Sequence, residues 1–207
     1  MIPVSLDQML TVDPVAGLQA AIVTTVKTLL TGVTVAKHPG KVDLSELVAK
    51  TVVPAPGIGI GWSRIRTAGM ADGSYGLAVE WVAYIVAEAR VVGMKRVEKE
   101  VVGIAIGTRL LAILSDNEAS FWGRAALMPV SETPAPELKP LFTVKDASQG
   151  TAYYTVTWTQ VLPDVGHTYF PQHKGTVDAE NGSINYDDPA WIDAITPFLA
   201  GEVVDDA

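Results

Sequence analysis

The chain predicts an α+β domain: a mixed or mainly antiparallel sheet of four to five strands with helices packed on it, plus a C-terminal hairpin-helix extension. Three patterns carry that prediction. From Leu77 to Glu88 the residues alternate, with Leu77, Val79, Trp81, Ala83, Ile85 and Ala87 against Ala78, Glu80, Val82, Tyr84, Val86 and Glu88, as a central strand requires. After Arg90 the period becomes helical, one row running Val97, Val101, Ile104, Thr108, Leu111 and another Val102, Ile106, Leu110, Ile113, Leu114. Thr151 to Leu162 then alternates again, with Tyr154, Val156, Trp158 and Leu162 facing inward and Thr151, Tyr153, Thr155, Thr157 and Thr159 on a wet side.

In chain order, Asp13-Pro14 is an N-cap with proline at the first helical position, and Val15, Leu18, Ile22, Val26 and Leu29 form one stripe down to Thr31-Gly32. Val33 to Lys37 reads as a short strand closed by the turn His38-Pro39-Gly40. Asp43 and Glu46 open a short helix that Pro54 and Pro56 stop. Gly57 to Arg66 alternates as a second strand, placing Ile58, Ile60, Trp62, Arg64 and Arg66 on one side and the glycines, Ser63 and Ile65 on the other. The glycine-rich stretch Thr67 to Gly76 is expected to be a mobile loop leading into the central strand.

The long helix is apolar nearly all round in its last three turns, so it should be buried on two sides. Gly103 and Gly107 share its remaining side, where close packing of another backbone would explain them. A strand through Val101 to Ile106 is the alternative, because short apolar runs are ambiguous. Glu118 to Lys145, with four prolines, reads as an extended connection holding a short strand near Leu141 to Val144. Beyond Pro163, Asn181-Gly182 marks a hairpin and Asp188-Pro189 caps a helix whose Trp191, Ile195, Phe198 and Leu199 share a face.

Length and composition set the frame. The 207 residues suit one domain of ordinary size, 1–163, with an appendage, 164–207. Charged residues make up 18%, below the roughly 25% of an average soluble domain, which implies extra buried surface such as subunit contacts. Residues 1–163 are electrically balanced, whereas 164–207 hold nine acids against Lys174 alone and so carry the net charge of −8. That disfavours generic or sequence-specific nucleic-acid binding. No apolar run is expected to reach the ~18 residues of a membrane span, and no signal-peptide pattern opens the chain. Cysteine is absent, which excludes disulfides and thiol chemistry.

No motif meets the demands of a reaction. Gly61-Trp-Ser63 lacks the closing glycine of a nucleophile elbow. Gly57, Gly59 and Gly61 recur every second residue within a strand, not at the spacing of a dinucleotide turn, and Gly40-Lys41 is followed by valine instead of a hydroxyl residue. Three histidines, His38, His167 and His173, have no zinc-site spacing. The stretch from Asp178 to Gly182 has Val177 where a calcium loop needs its first carboxylate. Glu80 and Glu88 lie eight residues apart, about 26 Å along a strand, too far to act on one bond. A non-enzymatic protein with no cofactor and no metal is therefore expected.

The runs Ala36 to Leu47, Val53 to Ile60, Gly107 to Leu114 and Ser148 to Trp158, together with the strand and helix between them, are similar to the Mu-like bacteriophage tail-terminator (tail-completion) family. The resemblance covers roughly residues 10 to 163. It implies a virion protein at the tail and neck junction, assembled in the host cytoplasm. Such a protein caps the completed tail tube as a ring of its own copies, typically sixfold. Its partners would be the major tail tube protein and the head–tail connector protein, with no membrane. The family supplies no catalytic residues. Arg64, Arg66, Glu80 and Glu88 are the polar positions suited to face-specific pairing, with solvation as the alternative for each, and Gly103 and Gly107 are candidates for contact with a neighbour. Two other readings stay open: a head–tail joining protein of the neck, and a small-ligand or peptide-binding module using the loop Thr67 to Gly76.

Overall fold

In a computed structural model, residues 5–40, 53–70, 75–141, 150–163 and 165 are described. The expected helix opening at Asp43 and the hairpin and helix of 164–207 lie outside them. The elements are α1 (Leu6–Thr11), α2 (Pro14–Leu29), β1 (Thr34–Lys37), β2 (Gly57–Gly69), β3 (Tyr75–Glu88), β4 (Arg90–Val92), β5 (Lys95–Val97), α3 (Lys99–Ser115), α4 (Asn117–Ser120), β6 (Glu137–Leu141) and β7 (Thr151–Leu162). Five strands form one sheet in the order β1-β2-β3-β7-β6. Only β1 and β2 run parallel; the other neighbours are antiparallel. The mixed α+β architecture is as expected.

Two helices cover one face of this sheet. The Asp13 carboxylate accepts from the Val15 and Ala16 amides, and Pro14 supplies the preset φ of the first turn. The stripe Val15, Leu18, Ile22 and Val26 is then buried against β1 and β2. Helix α3 lies over β3 and β7, burying Ile106, Leu110, Ile113 and Leu114. Between helices and sheet sit Ile58, Ile60, Val79, Trp81, Ile85, Val156 and Trp158. The Trp81 and Trp158 rings stack at 6.4 Å, directly opposite each other in register.

Several expectations change. α3 is a helix throughout, which settles the strand alternative at Val101 to Ile106. In its last three turns it is buried on one side, with Ala105, Thr108, Arg109 and Ala112 exposed, and in its first turns Val101 and Ile104 are 57% and 50% exposed. Gly103 and Gly107 do not meet a neighbour's backbone. A Cβ at Gly103 would fall 2.3 Å from the Tyr154 ring and one at Gly107 2.6 Å from Leu138, so the sheet's own side chains fill both notches. The Thr67 to Gly76 loop is shorter than expected, because β2 continues to Gly69 and β3 begins at Tyr75. A strand lies at Glu137–Leu141; the one expected near Leu141 to Val144 falls, beyond Leu141, outside the described residues. Between β3 and α3 lies a β4-β5 hairpin, with positive φ at both Gly93 (55°) and Met94 (66°), the signature of a type I′ turn, and Val97 belongs to it instead of to the helix. Helices α1 and α4 were not anticipated.

A stretch within Leu6–Leu29 is long and apolar enough to cross a membrane by length and composition, contrary to the expectation above. It is broken at Val12-Asp13 into helices of six and sixteen residues, each below the ~18 residues that a span requires.

Candidate functional site

The second face of the sheet carries the polar residues. Its middle is closed by Val53, Val82, Tyr84, Val86 and Tyr153, which pack together. The glycine row of β2 makes this possible. A Cβ at Gly57 would lie 2.3 Å from the Pro54 carbonyl oxygen and one at Gly61 3.2 Å from the backbone of His38 and Gly40, so neighbouring backbone crosses directly over the strand. His38 is buried there, its ring edge-on to Tyr84 at 5.5 Å. The wet side expected on β7 is largely dry: Thr151, Thr155 and Thr159 are buried and only Thr157 is exposed.

Beyond the glycines β2 changes face. Trp62 pairs with Trp81 and Arg64 with Glu80, leaving Ser63 as the extra residue of a β-bulge. The Ser63 hydroxyl donates to the Glu80 carbonyl at 3.3 Å across it. One inserted residue reverses the alternation. Arg64 and Arg66 therefore lie on the face of Glu80 and Ala78, and not on that of Ile58 and Ile60 as simple alternation predicts; Ile65 instead pairs with Val79.

The bulge brings three of the candidate residues together. Arg64 donates from Nη2 (2.7 Å) and Nε (3.0 Å) to Oε1 of Glu80, and Arg66 Nη1 stands 3.6 Å from the same oxygen. The hydrogen bond from Arg64, with the charges of both arginines, holds the Glu80 carboxyl below the usual carboxylate range against the opposing effect of burial. The same hydrogen bond and charge raise Arg64. A cavity of about 270 Å³ opens beside this cluster, lined by Ser63, Arg64, Glu80, Glu137, Thr157 and Thr159 among others. Glu88 is not part of it. That residue sits at the other end of β3, opposite Thr151, whose hydroxyl lies 3.5 Å from its carboxylate. Gly103 and Gly107 belong to the opposite face.

Sequence reasoning missed Ser63, Glu137 and the threonines as lining residues. Their convergence depends on strand register, which leaves no local mark. It also missed a buried polar lock on the helix side. Trp122, held at a φ of 54°, donates its Nε1 to Gln160 at 2.7 Å, and the Gln160 amide donates to the carbonyls of Ser120 and Met128. Gln160 ties α4 and the following turn to β7. A lone glutamine on the inward side of an apolar strand was the available signal.

The ion pair and threonines offer charge and hydrogen bonding beside the cavity. Among the described residues, no group of three or more His, Asp or Glu converges as a metal set. Compared with known proteins, the chain matches no family model, and no curated protein matches it significantly.

Proposed function

We propose that this chain is a phage virion structural protein that closes into a ring on the completed tail tube, ends tail polymerisation and offers the surface for head joining. The observation that supports it most is the two-sided apolarity of α3. One side builds the core, while Val101 and Ile104 on the other stay open to solvent. Helices apolar all round are covered twice, and a single copy provides one cover. The resemblance of residues 10 to 163 to Mu-like tail terminators points the same way.

A head-to-tail stack grows as long as each end presents the surface the next subunit needs. A terminator matches the tube on one face and refuses it on the other. The Arg64, Arg66 and Glu80 cluster supplies directional charge for such a choice, since charged contacts govern specificity more than affinity. Deleting the gene in its phage is expected to leave filled heads without tails, together with tubes of irregular and often excessive length, seen by electron microscopy of the lysate. Joined particles with tails of normal length overturn the role. A neck joining protein predicts tailless heads with tubes of normal length. The cavity beside Glu80 favours one further reading, a small polar ligand or peptide, which binding of a peptide panel measured by calorimetry tests.

A further inference from the structure

The cavity beside Glu80 forms where the outer edge of β7 loses its neighbour. Thr157 pairs with Glu137 of β6, and two residues further on the Thr159 carbonyl accepts from the Ser131 amide at 2.8 Å. Six steps of chain, from Ser131 to Glu137, thus run beside two steps of strand, so the segment between them bows outward. Pro134 and Ala135 of that bow give the cavity an apolar wall, and its polar lining comes from Ser63, Arg64, Glu80, Glu137, Thr157 and Thr159. Its volume of about 270 Å³ is just below the ~300 Å³ at which pockets for drug-sized ligands begin. One small ring fits it.

Thr159 carries the sign of an occupant. The residue is 5% exposed, its register opposite Glu80 puts its side chain on the cavity's face of the sheet, and among the described residues its hydroxyl has no hydrogen-bond partner. Buried hydroxyls are nearly always paired, with protein, water or ligand. The exposed Thr157 hydroxyl is equally unpaired among the described residues. Arg64 and Arg66 both reach Oε1 of Glu80, and Lys139 reaches Oε2 of Glu137 at 2.7 Å, so among the described residues each carboxylate keeps one oxygen uncommitted.

Charge then narrows the class of ligand. A cation would meet Arg64, Arg66 and Lys139, which already answer the two glutamates, and an anion would meet the two carboxylates of the lining. Neither gains from the site's field. Hydrogen bonding runs both ways instead: carboxylate oxygens only accept, the Arg64 guanidinium only donates, and the threonine hydroxyls do either. Glu80 stays an acceptor, because its carboxyl is held below the usual range. A neutral ring with hydroxyls on neighbouring carbons matches this set, since each hydroxyl gives one hydrogen bond and takes others, while its carbon-bound hydrogens rest on Pro134 and Ala135. A primary amide, with one acceptor atom and one donor nitrogen, leaves more of the lining unpaired.

We propose that this cavity binds a single neutral sugar unit, as a free monosaccharide or as the end of a glycan chain, through Glu80, Glu137, Thr157 and Thr159. The proposal rests on the ligand reading of the cavity given above and not on the tail role.

The test is nuclear magnetic resonance of the ¹⁵N-labelled full chain titrated with glucose, galactose, mannose and N-acetylglucosamine, and with two charged rings, glucosamine and glucuronate. At least one neutral sugar should give saturable shifts at the amides of Glu137, Thr157 and Thr159, and bind about tenfold tighter than either charged ring. Thr159→Val should weaken that sugar about tenfold, the worth of one hydrogen bond, and leave the thermal transition unchanged or raised, because it removes an unpaired buried hydroxyl. Thr157→Trp, at an exposed position on the rim, should abolish binding by filling the cavity. A trisaccharide ending in the same unit separates the two sources: equal or tighter binding assigns the end of a chain, and exclusion assigns the free sugar. Charged rings that bind as well as neutral ones overturn the sugar class and leave the cavity a ligand site, as does a peptide that shifts the same amides where no sugar does. Sugar shifts that survive both variants place the binding elsewhere and overturn the proposal. Silence from every sugar and peptide overturns the ligand reading of the cavity as well.

Discussion

The two faces of β3 are built on different principles from almost equally apolar material. On one, Val79, Trp81, Ala83 and Ile85 are fully buried beneath two long helices. On the other, Val82, Tyr84 and Val86 are covered by short backbone crossings over glycines, and Glu80 stays partly open in an ion cluster. Hydrophobicity of a residue thus does not say which kind of cover it receives. The helix side is a deep, volume-filled core in which size matters most. The other side is a thin layer ending in charge, where exposure and salt reduce what any contact contributes.

The largest expected difference between the faces is at Trp81. Trp81→Ala should destabilise by about 3 to 5 kcal/mol in chemical denaturation, through lost transfer energy and an unfilled cavity. A loss under ~1 kcal/mol would erase the distinction between the faces. Trp81→Phe should cost much less, because among the described residues the buried Trp81 Nε1 has no hydrogen-bond partner to lose.

Gly103→Ala probes the same side by addition instead of removal. Its new methyl falls on the Tyr154 ring, so a destabilisation of about 1 to 3 kcal/mol is expected despite alanine's better helix propensity. Stabilisation would mean that Tyr154 yields and that the helix stands off the sheet.

Glu80→Gln should have the smallest effect and the clearest pH signature. Because the folded Glu80 carboxyl is held below its ordinary range, its contribution is fully present above the unfolded value near ~4.3 and is lost as pH falls through the folded value. The denaturation midpoints of wild type and E80Q should differ slightly at pH 7 and converge at strongly acid pH. A gap that widens on acidification would show that Glu80 titrates above the normal range and that this face is dry after all.

Much of this was legible without coordinates. α2 was recognisable from Asp13, Pro14 and a stripe of five apolar residues, of which all but Leu29 are buried, and β3 and β7 from their alternation, because caps and periods act over a few neighbouring residues. The hairpin at 90–97 was not read from the sequence, since three-residue strands are too short to display a period, although Gly93 between valines and a basic stretch marked the place. Arg64, Arg66 and Glu80 come together in the structure, whereas simple alternation puts the two arginines on the opposite face.

What the amino-acid order determined by itself is the longer local elements and the inward side of each unbroken strand, since those depend on spacing along the chain alone. Tertiary structure decided where alternation breaks, because a single unpaired residue such as Ser63 shows itself only against a partner strand. It also decided what meets Gly103 and Gly107, which are notches without a chemical preference until Tyr154 and Leu138 arrive from strands some thirty to fifty residues away. The side of α3 left uncovered was settled in the same way. Both its rows are apolar, and the choice of the row holding Ile106, Leu110 and Ile113 for the core rests on how that helix sits over β3 and β7.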